Sequence, residues 1–151
     1  MSLISLKPLI MSDPSKGLKN AYDGFAKVLQ AIENLDLKEE TIDEINKNTS
    51  LVNEVNDSKK LKSLLQKKRY TILQILEKKE KLVAKNHYRN LWLALGMTIF
   101  GIPFGLIFSM SLDNMAFFAI GLPIGMPIGM AIGAQMDNKA NLEGRQLALE
   151  S

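Results

Sequence analysis

The stretch LWLALGMTIFGIPFGLIFSMSL, residues 91–112, carries no charged side chain. Only Asp113 and Asn114 separate it from a second uncharged stretch, MAFFAIGLPIGMPIGMAIGAQM, residues 115–136. Each run has 22 residues, and a hydrocarbon core about 30 Å thick is crossed by about 20 helical residues. The short polar turn between them forces antiparallel helices, so the sequence predicts a transmembrane hairpin over 91–136. The competing reading is a helical hairpin buried in a soluble protein. The rest of the chain is too polar to wrap two such helices.

Outward from the hairpin the composition changes abruptly. Residues 1–90 hold 17 basic and 12 acidic side chains, and the full chain of 151 residues has a net charge of +3. Two populations this different do not share one soluble core. Lys78, Lys79, Lys81, Lys85 and Arg89 precede the first span, and Lys139 and Arg145 follow the second. The turn has neither Lys nor Arg. The positive-inside bias places both termini in the cytoplasm and Asp113 outside. The five basic residues before the span, with Trp92 at the boundary, are expected at the lipid headgroups. Lys7 and Pro8 break the apolar N-terminal stretch, so no cleavable signal peptide is expected.

Seven of the ten glycines lie between residues 91 and 136. Gly121, Gly125, Gly129 and Gly133 recur every four residues, and each step advances only about 40° around an α-helix. They form a smooth groove. Gly101 and Gly105 repeat the spacing in the first span, with Gly96 nearby. In lipid, close backbone approach along small residues replaces the hydrophobic effect as the force between helices. These six glycines are therefore expected to pack against another helix, either in a second copy or within the hairpin. Pro103, Pro123 and Pro127 each remove a backbone donor, so kinks are expected near them.

The stretch GLPIGMPIGMAIGAQMDNKANLEGRQ, residues 121–146, resembles bacterial glycine-zipper proteins, which carry repeated Gly-x-x-x-Gly in a transmembrane hairpin. The resemblance covers about residues 89–147. It implies homo-oligomer packing through Gly121, Gly125, Gly129 and Gly133, in some members with a pore, in a bacterial inner membrane. It implies architecture and little function.

Residues 1–90 read as a cytoplasmic helical domain. Asp13-Pro14-Ser15 offers a cap for a helix using Leu18, Tyr22, Phe25, Val28, Leu29 and Ile32. Asp36 with Glu39 fits a capping box for a second helix, with a break near 48–50. Asp57 or Ser58 caps a third. Its apolar positions run from Leu61 to Val83, and no Gly or Pro lies between Lys59 and Arg89. One long helix from about residue 59 into the first span is therefore expected. Lys68 and Lys79 interrupt its apolar stripe, which disfavours a lone coiled coil. Residues 1–57 carry a net −4 and residues 58–90 a net +9, so the acidic helices should fold against the basic one. Residues 137–151 read as a short cytoplasmic tail.

No catalytic constellation emerges. Cysteine is absent and His87 is the single histidine, which excludes thiol chemistry and histidine clusters. Glu39, Glu40, Asp43 and Glu44 read as a solvated helix face, since the spacing of a calcium loop is missing. Nucleic acid is not expected, because Tyr70 is the lone aromatic in the basic stretch. The expected fold class is all-α, a helical region followed by a two-span hairpin. The expected protein is non-enzymatic, without metal or cofactor. It would oligomerise through the glycine groove and present residues 1–90 to lipid and to a protein partner. An oligomeric pore or membrane-disrupting effector, and a subunit of a larger membrane complex, are the alternatives.

Overall fold

The computed structural model describes residues 2–9 and 14–150. Among them the chain forms six α-helices: α1 (Lys16–Ile32), α2 (Glu39–Asn53), α3 (Ser58–Ile75), α4 (His87–Gly96), α5 (Ile102–Ser111) and α6 (Phe118–Leu142). Two short strands, β1 (Val83–Lys85) and β2 (Gln146–Glu150), pair as a two-stranded sheet. The chain divides into two compact units, one of residues 1–83 with 147–149, the other of 84–146 with 150–151.

The first unit is built on α1, α2 and α3. Ser15 caps α1, its hydroxyl oxygen accepting from the Leu18 N–H; Asp13 lies outside the described residues. Leu18, Ala21, Phe25, Val28, Leu29 and Ile32 recur at helical spacing and are all buried. Ile45 and Val52 of α2 and Leu61, Leu65 and Ile72 of α3 complete this core. Contacts pair in opposite order along the two stretches: Asn48 meets Lys68, while Glu40 and Glu44 meet Lys79. Hence α2 runs antiparallel to α3. Gly17 and Gly24 of α1 lie under the side chains of Lys62 and Arg69, so α1 and α3 run parallel. The two lysines that interrupt the apolar stripe of α3 are the ones that face polar groups of α2.

Three expectations about this region are corrected. The helix from residue 59 does not reach the first span. It widens into a π turn at Leu76–Glu80 and stops at Lys81, whose φ is 60°. The N–H of Leu82 bonds back to the Leu76 carbonyl at 3.1 Å, closing the end as a left-handed cap does. Nor does Asp36 cap α2. Its N-cap residue is Lys38, without a side-chain cap of its own. Finally, α2 runs unbroken through 48–50; Thr49 is buried with its hydroxyl donating to the Ile45 carbonyl at 3.0 Å. By contrast Asp57 caps α3, accepting the N–H groups of Lys59 and Lys60 at 2.9 Å each.

The second unit is a helical hairpin. Two helical segments, His87–Ser111 and Met115–Leu142, are long and apolar enough to cross a membrane. Both extend beyond the expected limits of 91–112 and 115–136, by starting at His87 and ending at Leu142. The turn is closed by Asp113 at φ 48° and by Asn114, whose side chain accepts from the Ala116 N–H at 2.9 Å. The tail is also ordered. Gly144, at φ 67°, ends α6 in a Schellman motif, with Gly144 N–H to Asn141 and Arg145 N–H to Ala140. Strand β2 follows, burying Leu147 and Leu149 and exposing Ala148, the period of two of a half-buried strand. These strands are the departure from an all-α chain.

Candidate functional site

The feature that sets this hairpin apart is a seam of backbone against backbone. In α6, Gly121, Gly125, Gly129, Gly133, Asp137 and Ala140 are the buried residues. An ideal Cβ built on Gly125 would lie 2.6 Å from the Gly101 nitrogen. One on Gly129 would lie 2.8 Å from the Gly96 Cα, and one on Gly133 would lie 2.5 Å from the Tyr88 carbonyl oxygen. One on Gly121 would lie 2.6 Å from the Gly105 Cα. Residue numbers fall on one helix as they rise on the other, so the helices are antiparallel. At this separation only glycine fits, and carbonyl oxygens approach the opposing Cα–H groups.

All six expected packing glycines lie on the seam, and Gly96 joins them. The partner is the chain's own first span. The groove expected to receive a second copy is filled within the hairpin.

The first span reaches this register by an irregularity. Its glycines are spaced five and then four apart, at 96, 101 and 105. A five-residue step in an α-helix advances about 500°, leaving Gly101 about 140° off the line of Gly96. The segment Met97–Gly101 is a π turn, with the Ile102 N–H bonded to the Met97 carbonyl. Such a turn accommodates one extra residue, and it returns Gly101 and Gly105 to the face of Gly96. Pro103 sits directly after it, within the continuous helical segment His87–Ser111. Pro123 and Pro127 lie inside one continuous helix, α6.

Beyond Gly133 the seam finishes in a carboxylate. Asp137, four residues beyond Gly133, accepts the Tyr88 N–H at 3.0 Å and the Arg89 N–H at 2.9 Å. These are among the four donors that a helix start leaves unpaired. The local N-cap, Asn86, sits at φ 61° and makes no side-chain cap bond. Sequence reasoning passed over Asp137, although it continues the four-residue step of the glycines. That step was the available signal.

The outward faces are apolar. Ile99, Ile107, Met110, Leu112 and Met115 are exposed, and little of either apolar stretch is buried. Helices of a soluble core would show the opposite. Of the expected headgroup residues, Lys85 and Arg89 are exposed and Trp92 is half-buried, with its carbonyl oxygen against Gly129. In the first unit Lys78 and Lys81 are exposed. Lys79 is withdrawn from that set. Its ammonium bonds Glu40 at 2.6 Å and Glu44 at 2.7 Å. Those hydrogen bonds, Glu40 first, raise its pKa above the ordinary lysine value, and they hold Glu40 below the ordinary carboxylate range.

The same joint lies just beyond the end of α3. Glu80 accepts from the Thr41 hydroxyl and from the Lys38 N–H, while the Lys38 ammonium donates to the Lys79 carbonyl at 3.0 Å. Glu80 supplies the cap that α2 lacks locally. Two of the four clustered acids of α2, Glu40 and Glu44, are engaged by Lys79. Among the described residues no group of three or more acidic or histidine side chains converges on a metal position. Neither a family model, nor a curated protein, nor a solved structure matches this chain.

Proposed function

We propose that this chain is a non-enzymatic, two-span membrane protein whose hairpin closes on itself along the glycine seam and anchors a helical interaction domain. The observation that carries this reading is the inverted packing of residues 87–142. Glycine and Asp137 face inward, and large apolar side chains face outward. Burying backbone and exposing Ile, Met and Leu is favourable in lipid and unfavourable in water. In this reading the hairpin is of the glycine-zipper kind and sits in a bacterial inner membrane with both termini cytoplasmic. The glycines hold the two spans together, and subunit number does not depend on them. Lys85 and Arg89 lie at the cytoplasmic boundary.

The test uses the absence of native cysteine. Single cysteines at Ser2 and at Asn114 are labelled on intact cells with an impermeant thiol reagent, after alkaline extraction has placed the chain in the membrane fraction. Labelling at 114 alone is expected. Labelling at position 2 alone inverts the orientation, and release by alkaline extraction overturns the membrane reading.

A further inference from the structure

Residues 2–9 carry no helix or strand, yet their backbone is held at two points by side chains of α2. The amide group of Asn46 donates to the Ser2 carbonyl at 3.0 Å and its oxygen accepts the Ile4 N–H at 2.7 Å. Asn53 repeats the pattern three residues on, donating to the Ser5 carbonyl at 3.1 Å and accepting the Lys7 N–H at 2.9 Å. A side-chain amide has one acceptor and two donors, so it can pair with both groups an extended chain offers on one edge. The two spacings match. Seven residues of helix rise about 10.5 Å, and three residues of polyproline-type chain rise about 9.3 Å. Tyr22 of α1 adds a fifth bond, its hydroxyl donating to the Lys7 carbonyl at 2.9 Å.

None of these bonds uses a side chain of the bound segment. Its side chains follow a period of three instead. Leu3, Leu6 and Leu9 are half-buried, and Ser2, Ile4, Ser5, Lys7 and Pro8 are exposed. That is the period of a polyproline II strand. Room for larger side chains lies beside it. A cavity of about 440 Å³ is lined by Leu6, Leu9, Tyr22, Val52, Val55 and Leu61. A second, of about 290 Å³, is lined by Leu3, Leu6, Ala26 and Leu29 among others. Both are hollows open to solvent beside the segment.

We infer that the groove between α1 and α2 is a docking site for an extended peptide segment of a partner protein, apolar at every third residue and bulkier there than leucine, and that residues 2–9 occupy it in cis. The pairing is blind to sequence, so any chain in this conformation satisfies Asn46 and Asn53. The cavities favour an occupant with larger side chains. The cis segment is held by exposed hydrogen bonds and three half-buried leucines, so it opens at low cost. A peptide of this type is already ordered before binding, which limits the entropy lost on docking. The inference does not depend on the hairpin crossing a membrane.

The probe is a fluorescent peptide with the sequence of residues 2–9 carrying Leu6→Phe and Leu9→Phe, titrated into the full chain in mild detergent. Its control has the same composition with the apolar residues two apart. Saturable binding of the probe is expected, at least tenfold tighter than the control. Deleting residues 2–9 removes the cis competitor and should tighten probe binding at least tenfold. The double variant Asn46→Leu, Asn53→Leu should weaken it at least tenfold. If that variant loses helicity, Tyr22→Phe, which removes one donor, should weaken it severalfold. Equal binding of probe and control, no gain on deletion, or no loss in these variants overturns the inference. Dimerisation of the intact chain that disappears when residues 2–9 are deleted identifies a second copy as the occupant and also overturns it.

Discussion

The carboxylate of Asp137 accepts the backbone N–H of Tyr88 at 3.0 Å, 49 residues away in the chain. A helix start is thereby capped by the end of the helix it packs against, and the contact pins the hairpin at one end. Asp137→Ala removes the acceptor for both Tyr88 and Arg89. We expect a loss of about 1–2 kcal/mol, the usual worth of an N-cap, read by unfolding in mild detergent. Asp137→Asn keeps one acceptor oxygen and should lose about half as much. An Ala variant as stable as the parent would show that the cap has no role.

The seam predicts a graded glycine series. A Cβ at Gly129 would overlap the Trp92 carbonyl oxygen and meet the Gly96 Cα at 2.8 Å, whereas one at Gly101 would meet Gly121 and Leu122 backbone no closer than 3.1 Å. Gly129→Ala should therefore cost about 1–3 kcal/mol as overpacking. Gly101→Ala should cost less than about 1 kcal/mol on the same scale. Ile128→Leu, off the seam, should be neutral. Crosslinking should report the same subunit number throughout. A change in subunit number with no change in stability would move the groove from the hairpin to an oligomer contact.

The π turn makes a prediction about chain length. Deleting Thr98 turns the five-residue glycine step into four, which an ordinary α-helix holds in register. Combined with Pro103→Ala, which restores a donor, the deletion should leave the hairpin folded. Deleting Ile128 from α6 breaks the register of Gly129, Gly133 and Asp137 against the rest and should abolish folding. Expression and thermal stability of the two deletions decide the matter. Equal damage from both would mean that the extra residue is not absorbed at Met97–Gly101.

Lys79 gives the first unit a pH signature. The Glu40 carboxyl is lowered by its bond to Lys79. Its contribution is present above the unfolded carboxylate value and is lost as pH falls through the lower folded value. Lys79 is raised by Glu40 and Glu44. Its contribution is present below the unfolded lysine value and is lost as pH rises through the higher folded value. Lys79→Met should therefore reduce stability across the neutral range and flatten both limbs of the profile. Unchanged acid and alkaline limbs would show that the pair is only a contact.

The hairpin was legible from sequence because its information is local. Two uncharged runs of 22 residues and a two-residue polar turn state length, polarity and direction together. The four-residue glycine step states which face is narrow. The core of α1 and the Asp57 cap are equally local. What fills the glycine groove is not, since a second copy and the chain's own first span present the same chemistry. Tertiary structure chose the first span, and the five-residue step at Gly96–Gly101 makes sense only against a regular partner helix. The two caps divide in the same way. Asp36 and Asn86 stand where a local rule looks. The N-termini of α2 and α4 instead take Glu80 and Asp137, brought from 42 and 49 residues away. The end of α3 follows from that choice. Nothing in residues 59–90 breaks a helix, and a left-handed Lys81 costs about 1–2 kcal/mol. The bonds from Lys79 and Glu80 to α2, with the burial of Leu76 and Val83, help to offset that cost, and they form only once the helices have packed.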